Sequence, residues 1–232
     1  MDQGRLRVLV VDDDPTVRRA CRDFLAERTD VELVAEVADG DLAEEAYERA
    51  RPDVVLMDLQ MVRMSGIEAT RVLCRRWPRA CVVAMTTFAS RDHVVAALRA
   101  GASGYLVKGL SGPQLVAALH QAVAGDMPLS SVVRRELVST VVAESTPAQP
   151  ARSSTNRQLT DREVELVNWI AHGLTNRQVA ARMNLSEGSV KQYVARVADK
   201  LDASSRTQVL VRTIQLGLVD VSQLPVPGDH DA

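Results

Sequence analysis

The sequence predicts an α/β domain built on a doubly wound five-stranded parallel sheet, followed by a smaller all-α domain. Two patterns carry that expectation. In the first half, short Val- and Leu-rich runs alternate with amphipathic helical stretches, the order that builds successive βα units. Beyond a stretch rich in Ser, Thr, Pro and Gln the strand-like runs stop, and helix-start signals follow in close succession.

The strands are expected at residues 6–11, 31–37, 53–57, 80–85 and 104–107. The first, third and fourth are apolar almost without interruption, as befits strands covered on both faces. Between them, Val17, Ala20, Cys21, Phe24 and Leu25 repeat at the spacing of one helical face. Asp14 followed by Pro15 supplies the start of that helix, a side-chain cap and a residue pre-set for the first turn. Further helices are expected at 42–50, 67–77, 92–100 and 113–124, and a connecting helix at 129–142. Residues 144–156 lack periodicity and read as linker. In the last part, Thr160 with Glu163 and Thr175 with Gln178 fit reciprocal capping boxes, and Ser186 opens a third helix. Gly173 and Gly217 stand where helices end. The resulting division is 1–127, 128–156, 157–220 and a loose tail at 221–232.

Composition excludes several classes. The 232 residues are 46% hydrophobic and 25% charged, which is ordinary for globular protein and unlike disordered or fibrous chains. Aromatic residues make up 3%, so the cores must be built of Val, Leu, Ala and Met. No apolar run approaches the ~20 residues that cross a bilayer. Cys21, Cys74 and Cys81 cannot all pair, and they sit in apolar stretches as reduced hydrophobes do. A cytoplasmic protein with no membrane contact is expected. The net charge of −2 argues against a nucleic-acid binder, but it is unevenly spread. Residues 151–220 hold ten Lys and Arg against seven Asp and Glu, while the remainder holds eighteen against twenty-three.

Ligands of doubly wound sheets bind beyond the carboxyl ends of the strands. The first expected strand runs into Asp12, Asp13 and Asp14. Asp14 has its capping role. Asp12 and Asp13 have none, and adjacent acids repel unless a cation joins them. The third strand runs into Asp58. Clustered carboxylates open to water suit a hard cation such as Mg2+. The fourth ends at Thr86 and Thr87, whose hydroxyls can bond an anion, and Lys108 after the fifth presents a compact ammonium. Carboxylates, a metal, a hydroxyl and a lysine together make a site for phosphoryl transfer.

In the last part, 175–183, 184–186 and 187–201 form helix, short turn, helix, the arrangement that lays its second helix in a DNA major groove. Val190, Val194, Val197 and Leu201 define the inward face of that helix. Lys191, Gln192, Ala195, Arg196 and Asp199 lie opposite. Lys191 and Arg196 can reach guanine edges or phosphates, and Gln192 can pair with adenine. Ser186 and Ser189 sit at a helix N-terminus that favours phosphate, and Arg177 and Arg206 are further phosphate candidates.

These motifs carry a resemblance. Val-Val-Asp12-Asp13, Met57-Asp58-Leu59, Thr86 and Gly104-Tyr105-Leu106-Val107-Lys108 resemble the receiver domain of two-component response regulators, a flavodoxin-like fold. Leu159-Thr160-Asp161-Arg162-Glu163, Gly173-Leu174-Thr175-Asn176-Arg177 and Ser189-Val190-Lys191 resemble the four-helix DNA-binding domain of the NarL/LuxR class. The resemblance implies that Asp58 accepts a phosphoryl group from a sensor histidine kinase, and that the chain is no enzyme beyond slow loss of that group. It implies Mg2+ held by Asp12, Asp13, Asp58 and the backbone carbonyl of Gln60, and Thr86 and Tyr105 as a switch pair in which Tyr105 moves inward on phosphorylation. It implies Asn176 among the contacts to double-stranded promoter DNA, and an active homodimer joined through the last helix, about 205–216. Two departures stand beside the acceptor site: Val62 and Gly109 occupy positions where the family usually or often has Pro. Tyr193 and Ala195 depart from the DNA-binding class, Ala195 in a way that alters base preference more than fold. The departure at Val62 leaves open a regulator that works without phosphorylation and uses the first domain for pairing or ligand binding. The absence of a second acid two residues past Asp58, where Gln60 stands, counts against a phosphohydrolase.

Overall fold

The computed structural model describes residues 4–87, 91–128, 159–203 and 205–218. Five strands, β1 (Leu6–Val11), β2 (Val31–Val37), β3 (Val54–Asp58), β4 (Val82–Thr86) and β5 (Gly104–Val107), form one sheet in the order β2-β1-β3-β4-β5. Every pairing is parallel. The helices between them are α1 (Pro15–Ala26), α2 (Ala43–Ala50), α3 (Gly66–Arg76), α4 (Arg91–Ala100) and α5 (Gly112–Val123). This is the doubly wound α/β sheet that the alternation predicts.

The two-residue period of a strand sorts its side chains between the faces. Val8 and Val10 of β1 and Leu56 of β3 pack with Cys21 and Leu25 of α1 and with Leu115 and Leu119 of α5. Leu9, Val11, Val55 and Met57 point the other way, onto Ala43 of α2 and Ala69 and Leu73 of α3. Asp14 caps α1 through its carboxylate, which accepts from Thr16 N at 2.7 Å.

Strands β3 and β4 begin later than expected. The Asp53 carboxylate accepts from Arg7 N at 2.8 Å, and Ala80 N donates to Trp77 O in a turn at 2.8 Å, so both residues precede their strands. Both strands also run one residue further than expected, to Asp58 and Thr86, which pair with Met85 and Val107.

Four further helices, α6 (Asp161–Ala171), α7 (Asn176–Met183), α8 (Glu187–Leu201) and α9 (Arg206–Gln215), enclose a core of Leu166, Ile170, Val179, Val190, Val197 and Leu210. The capping boxes of Thr160 with Glu163 and Thr175 with Gln178 are both formed. Gly173 and Gly217 take the left-handed backbone that ends a helix, at φ 77° and 65°. The connecting helix expected at 129–142, the linker and the tail from 221 lie outside the described residues. Among the described residues no helix is long and apolar enough to cross a membrane.

The helical domain lies against the sheet domain. Helix α9 packs on α4. Thr207 Oγ1 donates to Ser103 O at 3.1 Å, and Asn176 N donates to Asp126 Oδ1 at 2.7 Å.

Candidate functional site

The reversal of strand order between β1 and β3 opens a crevice at their carboxyl ends. Asp12 follows β1, Asp58 ends β3, Thr86 ends β4 and Lys108 follows β5. Asp12 is fully buried and Asp58 is 4% exposed. Asp12, Asp13 and Asp58 each place a carboxylate oxygen within 4.8 Å of the others. Lys108 Nζ reaches into the group, 2.8 Å from Asp12 Oδ2 and 3.1 Å from Asp58 Oδ1. Its backbone is fixed by donation from Lys108 N to Thr86 O at 2.6 Å. Asp12 is anchored as well: Oδ1 accepts from Asp14 N at 3.0 Å, and its carbonyl accepts from Arg18 Nη1 at 2.5 Å.

Electrostatics distinguish the groups. Burial raises the carboxyl pKa of Asp58, and the charge of Asp12 raises it further, with Lys108 opposing. Burial works against the charge of Lys108, but Asp12 and then Asp58 outweigh it and hold the ammonium above its ordinary value. Three carboxylates against one ammonium leave two formal negative charges, which one divalent cation neutralises. The donors are all hard oxygens and Asp13 is only half-buried, so waters can complete a coordination shell. The residues present therefore fit Mg2+. Gln60 is exposed and opens the loop from β3 to α3.

Thr86 and Tyr105 meet at the rim of this crevice. Tyr105 is fully buried, its hydroxyl pushed up to about 12 by that burial, with the Thr86 side chain as its polar neighbour. It packs with Ala84, Val94, Leu98 and Ala102, and Val211 of α9 closes the cluster. Gly109 adopts φ 102°, a backbone that Pro cannot take. Val62 is 86% exposed.

The second set of residues lies on α7 and α8. Val190 and Val197 are fully buried, Val194 and Leu201 partly so, while Lys191, Gln192, Ala195 and Arg196 are exposed. Arg196 holds its guanidinium 4.2 Å from the Tyr193 ring centroid. Ser186 caps α8, accepting from Ser189 N at 3.1 Å, and the two hydroxyls lie 2.9 Å apart. Arg177 is exposed.

Two expected contacts stand apart from this surface. Asn176 and Arg206 are buried, at 3% and 7% exposure. Arg206 donates to Asn176 Oδ1 at 2.5 Å and to the carbonyl of Leu174. Burial lowers its pKa to about 10, with the charge of Asp126 opposing. Asn176 Nδ2 also donates to Ala124 O at 3.3 Å. Lys191 and Ala195 face a gap of about 770 Å3 whose other wall includes Asp53, Arg79 and Asp126. Sequence reasoning missed Asp126, since an acid just past a helix end gives no sign of a partner fifty residues away.

Comparison with known proteins agrees with both halves of this geometry. Residues 8–120 match the family described as response regulator receiver domain, and residues 157–213 the family described as bacterial regulatory proteins, luxR family. The chain is 34% identical to the transcriptional regulatory protein LiaR of Bacillus subtilis (strain 168), over 89% of this chain and 95% of that one. It is also 34% identical to the nitrate/nitrite response regulator protein NarL of Escherichia coli (strain K12), over 90% and 95%. Among solved structures, a two-component response regulator of the LuxR family from Aurantimonas sp. SI85-9A1 aligns with TM-score 0.55 at 33% identity, covering 60% of this chain and 99% of that one.

Proposed function

The chain belongs to the response regulators that join a receiver domain to a LuxR-type DNA-binding domain, and on that premise we propose that phosphorylation of Asp58 controls its access to promoter DNA. It is a DNA-binding transcription response regulator of the two-component type. The observation that carries the proposal is Lys108 bridging Asp12 and Asp58 at adjoining strand ends.

A sensor histidine kinase presents a phosphohistidine, or a small acyl phosphate takes its place. Asp58 Oδ attacks phosphorus, the P–N or P–O bond to the donor breaks, and the electron pair leaves with the donor. Asp12, Asp13, Asp58 and the carbonyl of Gln60 would hold Mg2+, which would supply charge neutralisation for the transferring group. Lys108 then exchanges its bond to the Asp58 carboxylate for one to the new phosphoryl oxygens, and Thr86 donates its hydroxyl to the same anion. Water reverses the modification slowly, so the chain is a phosphoryl acceptor and not a turnover enzyme.

Thr86 is the polar neighbour of Tyr105, and Val211 of α9 packs against the cluster to which Tyr105 belongs. Pulling Thr86 toward a phosphoryl group therefore loosens the seat of α9 against the receiver. The bonds of Asn176 to Asp126 and Ala124 break, the recognition face of α8 is opened to DNA, and two chains pair through the last helix on paired half-sites. Phosphorylation shifts this equilibrium only by its differential stabilisation of the open state.

The test is mass spectrometry after incubation with acetyl phosphate. The parent with Mg2+ gains one phosphoryl group, and neither Asp58→Asn nor the parent in chelator gains any. Footprinting on selected DNA then shows tighter, paired protection with beryllofluoride. Labelling of Asp58→Asn equal to the parent refutes the assignment.

A further inference from the structure

Asp39 follows β2, is 3% exposed and lies outside the carboxylate cluster. Its two oxygens have separate duties. Oδ2 accepts from Arg63 N and Oδ1 from Met64 N, each at 2.9 Å. Those are successive amides at the far end of the loop that leaves Asp58 and returns to α3. The base of the loop is closed by donation from Gly66 N to Leu59 O at 3.1 Å. Gly40, beside Asp39, has Met64 O so near that a Cβ there would lie 2.5 Å from it. The approach of the β2 end to this loop thus requires glycine. Burial pushes the Asp39 carboxyl up, but the amides of Arg63, Met64 and Asp41 outweigh it and keep the group ionised below its ordinary range. The Arg63 guanidinium covers the arrangement, 3.7 Å from Asp39 and 2.9 Å from Asp41. Val62, at 86% exposure, adds no packing to hold the loop.

We propose that Asp39 is a positioning residue for the cation site, setting the path of the loop and with it the Gln60 carbonyl. The proposal rests on the Mg2+-dependent reading above. Asp39 touches neither cation nor phosphoryl group; it acts through two backbone amides. Its loss therefore weakens cation binding and leaves the attacking oxygen of Asp58 and the ammonium of Lys108 where they are. The defect is one of affinity, and saturating cation overcomes it.

Calorimetric titration of the full chain with Mg2+ alone, without phosphoryl donor, tests this directly. Asp39→Ala raises the dissociation constant roughly tenfold, the scale on which residues that orient metal ligands act. Labelling by acetyl phosphate at saturating Mg2+ then proceeds at the parental rate. Arg63→Ala retains the backbone amide and binds Mg2+ as the parent does, which separates the amide clamp from the ion pair over it. Should Asp39→Ala fail to fold, Asp39→Asn serves: it keeps one acceptor, sets an amide NH2 donor against the other N–H, and weakens Mg2+ in the same direction. A folded variant with parental Mg2+ affinity, or one whose labelling stays slow at saturating Mg2+, overturns the proposal. A parent that binds no Mg2+ overturns the cation reading itself, whereas a parent that binds it beside an equal variant overturns only the role of Asp39.

Discussion

Asp126→Ala removes the charged bond of the receiver to the first helix of the DNA-binding motif. The carboxylate accepts from Asn176 N at 2.7 Å, at the start of α7, where unpaired amides and the helix dipole favour negative charge. A hydrogen bond to a charged partner contributes about 1.5–3 kcal/mol. With a loss of about 2 kcal/mol from the closed arrangement alone, the open population rises roughly thirtyfold. Apparent affinity for DNA scales with the competent fraction, so it rises by up to the same factor. The assay is fluorescence anisotropy on a labelled duplex recovered by selection, at fixed salt because phosphate attraction depends on salt. Glu32→Ala, an exposed acid on β2, calibrates what loss of one negative charge does by itself. Small-angle scattering provides the second readout, with a larger radius of gyration for Asp126→Ala than for the parent. If Asp126→Ala matches Glu32→Ala in affinity and the parent in radius, the reasoning about this latch is wrong.

Three further outcomes follow from the geometry. Asp58→Asn raises the melting temperature at neutral pH without Mg2+, because it removes a buried charge whose pKa burial and Asp12 already raise; a lower melting temperature contradicts that electrostatic account. Gly66→Ala costs about 3 kcal/mol in urea unfolding, since its Cβ would lie 1.8 Å from Asp58 O at the start of α3; a cost near zero would mean that the loop yields freely. Glu163 is buried, yet its bonds from Lys200 at 2.6 Å and from Thr160 outweigh burial and hold its pKa below the ordinary 4.5. The folded form thus binds the proton less readily than the unfolded one, so this stability is present above about pH 4.5 and lost as pH falls through the depressed value. Glu163→Gln accordingly destabilises the helical domain by about 1–2 kcal/mol at pH 7. The gap from the parent closes in acid; a gap that stays constant with pH counts against the pairing.

Much of the candidate site was legible because its signals are local. A strand's run of Val and Leu ends where Asp12 begins, and the capping residues Asp14, Thr160, Thr175 and Ser186 announce helices within four positions of themselves. Burial on alternate sides of each strand follows from the pleat alone. Even the gathering of Asp12 and Asp58 needed only the premise that β1 and β3 are neighbours, with Lys108 reaching them from β5 across the end of β4.

What tertiary structure decided are pairings between distant segments. Asp39 meets Arg63 and Met64, Asp126 meets Asn176, and Val211 of α9 packs on the cluster around Tyr105. Asn176 and Arg206 were expected as DNA contacts, yet both are buried, Asn176 bonded to Asp126 and Ala124 of the receiver and Arg206 to Asn176 and Leu174. Sequence determined which backbone each segment adopts and which chemistry ends each strand, since propensity, period and capping act over a few residues. Which polar group fills which partner's vacancy depends on how whole elements pack, and no short-range pattern encodes that.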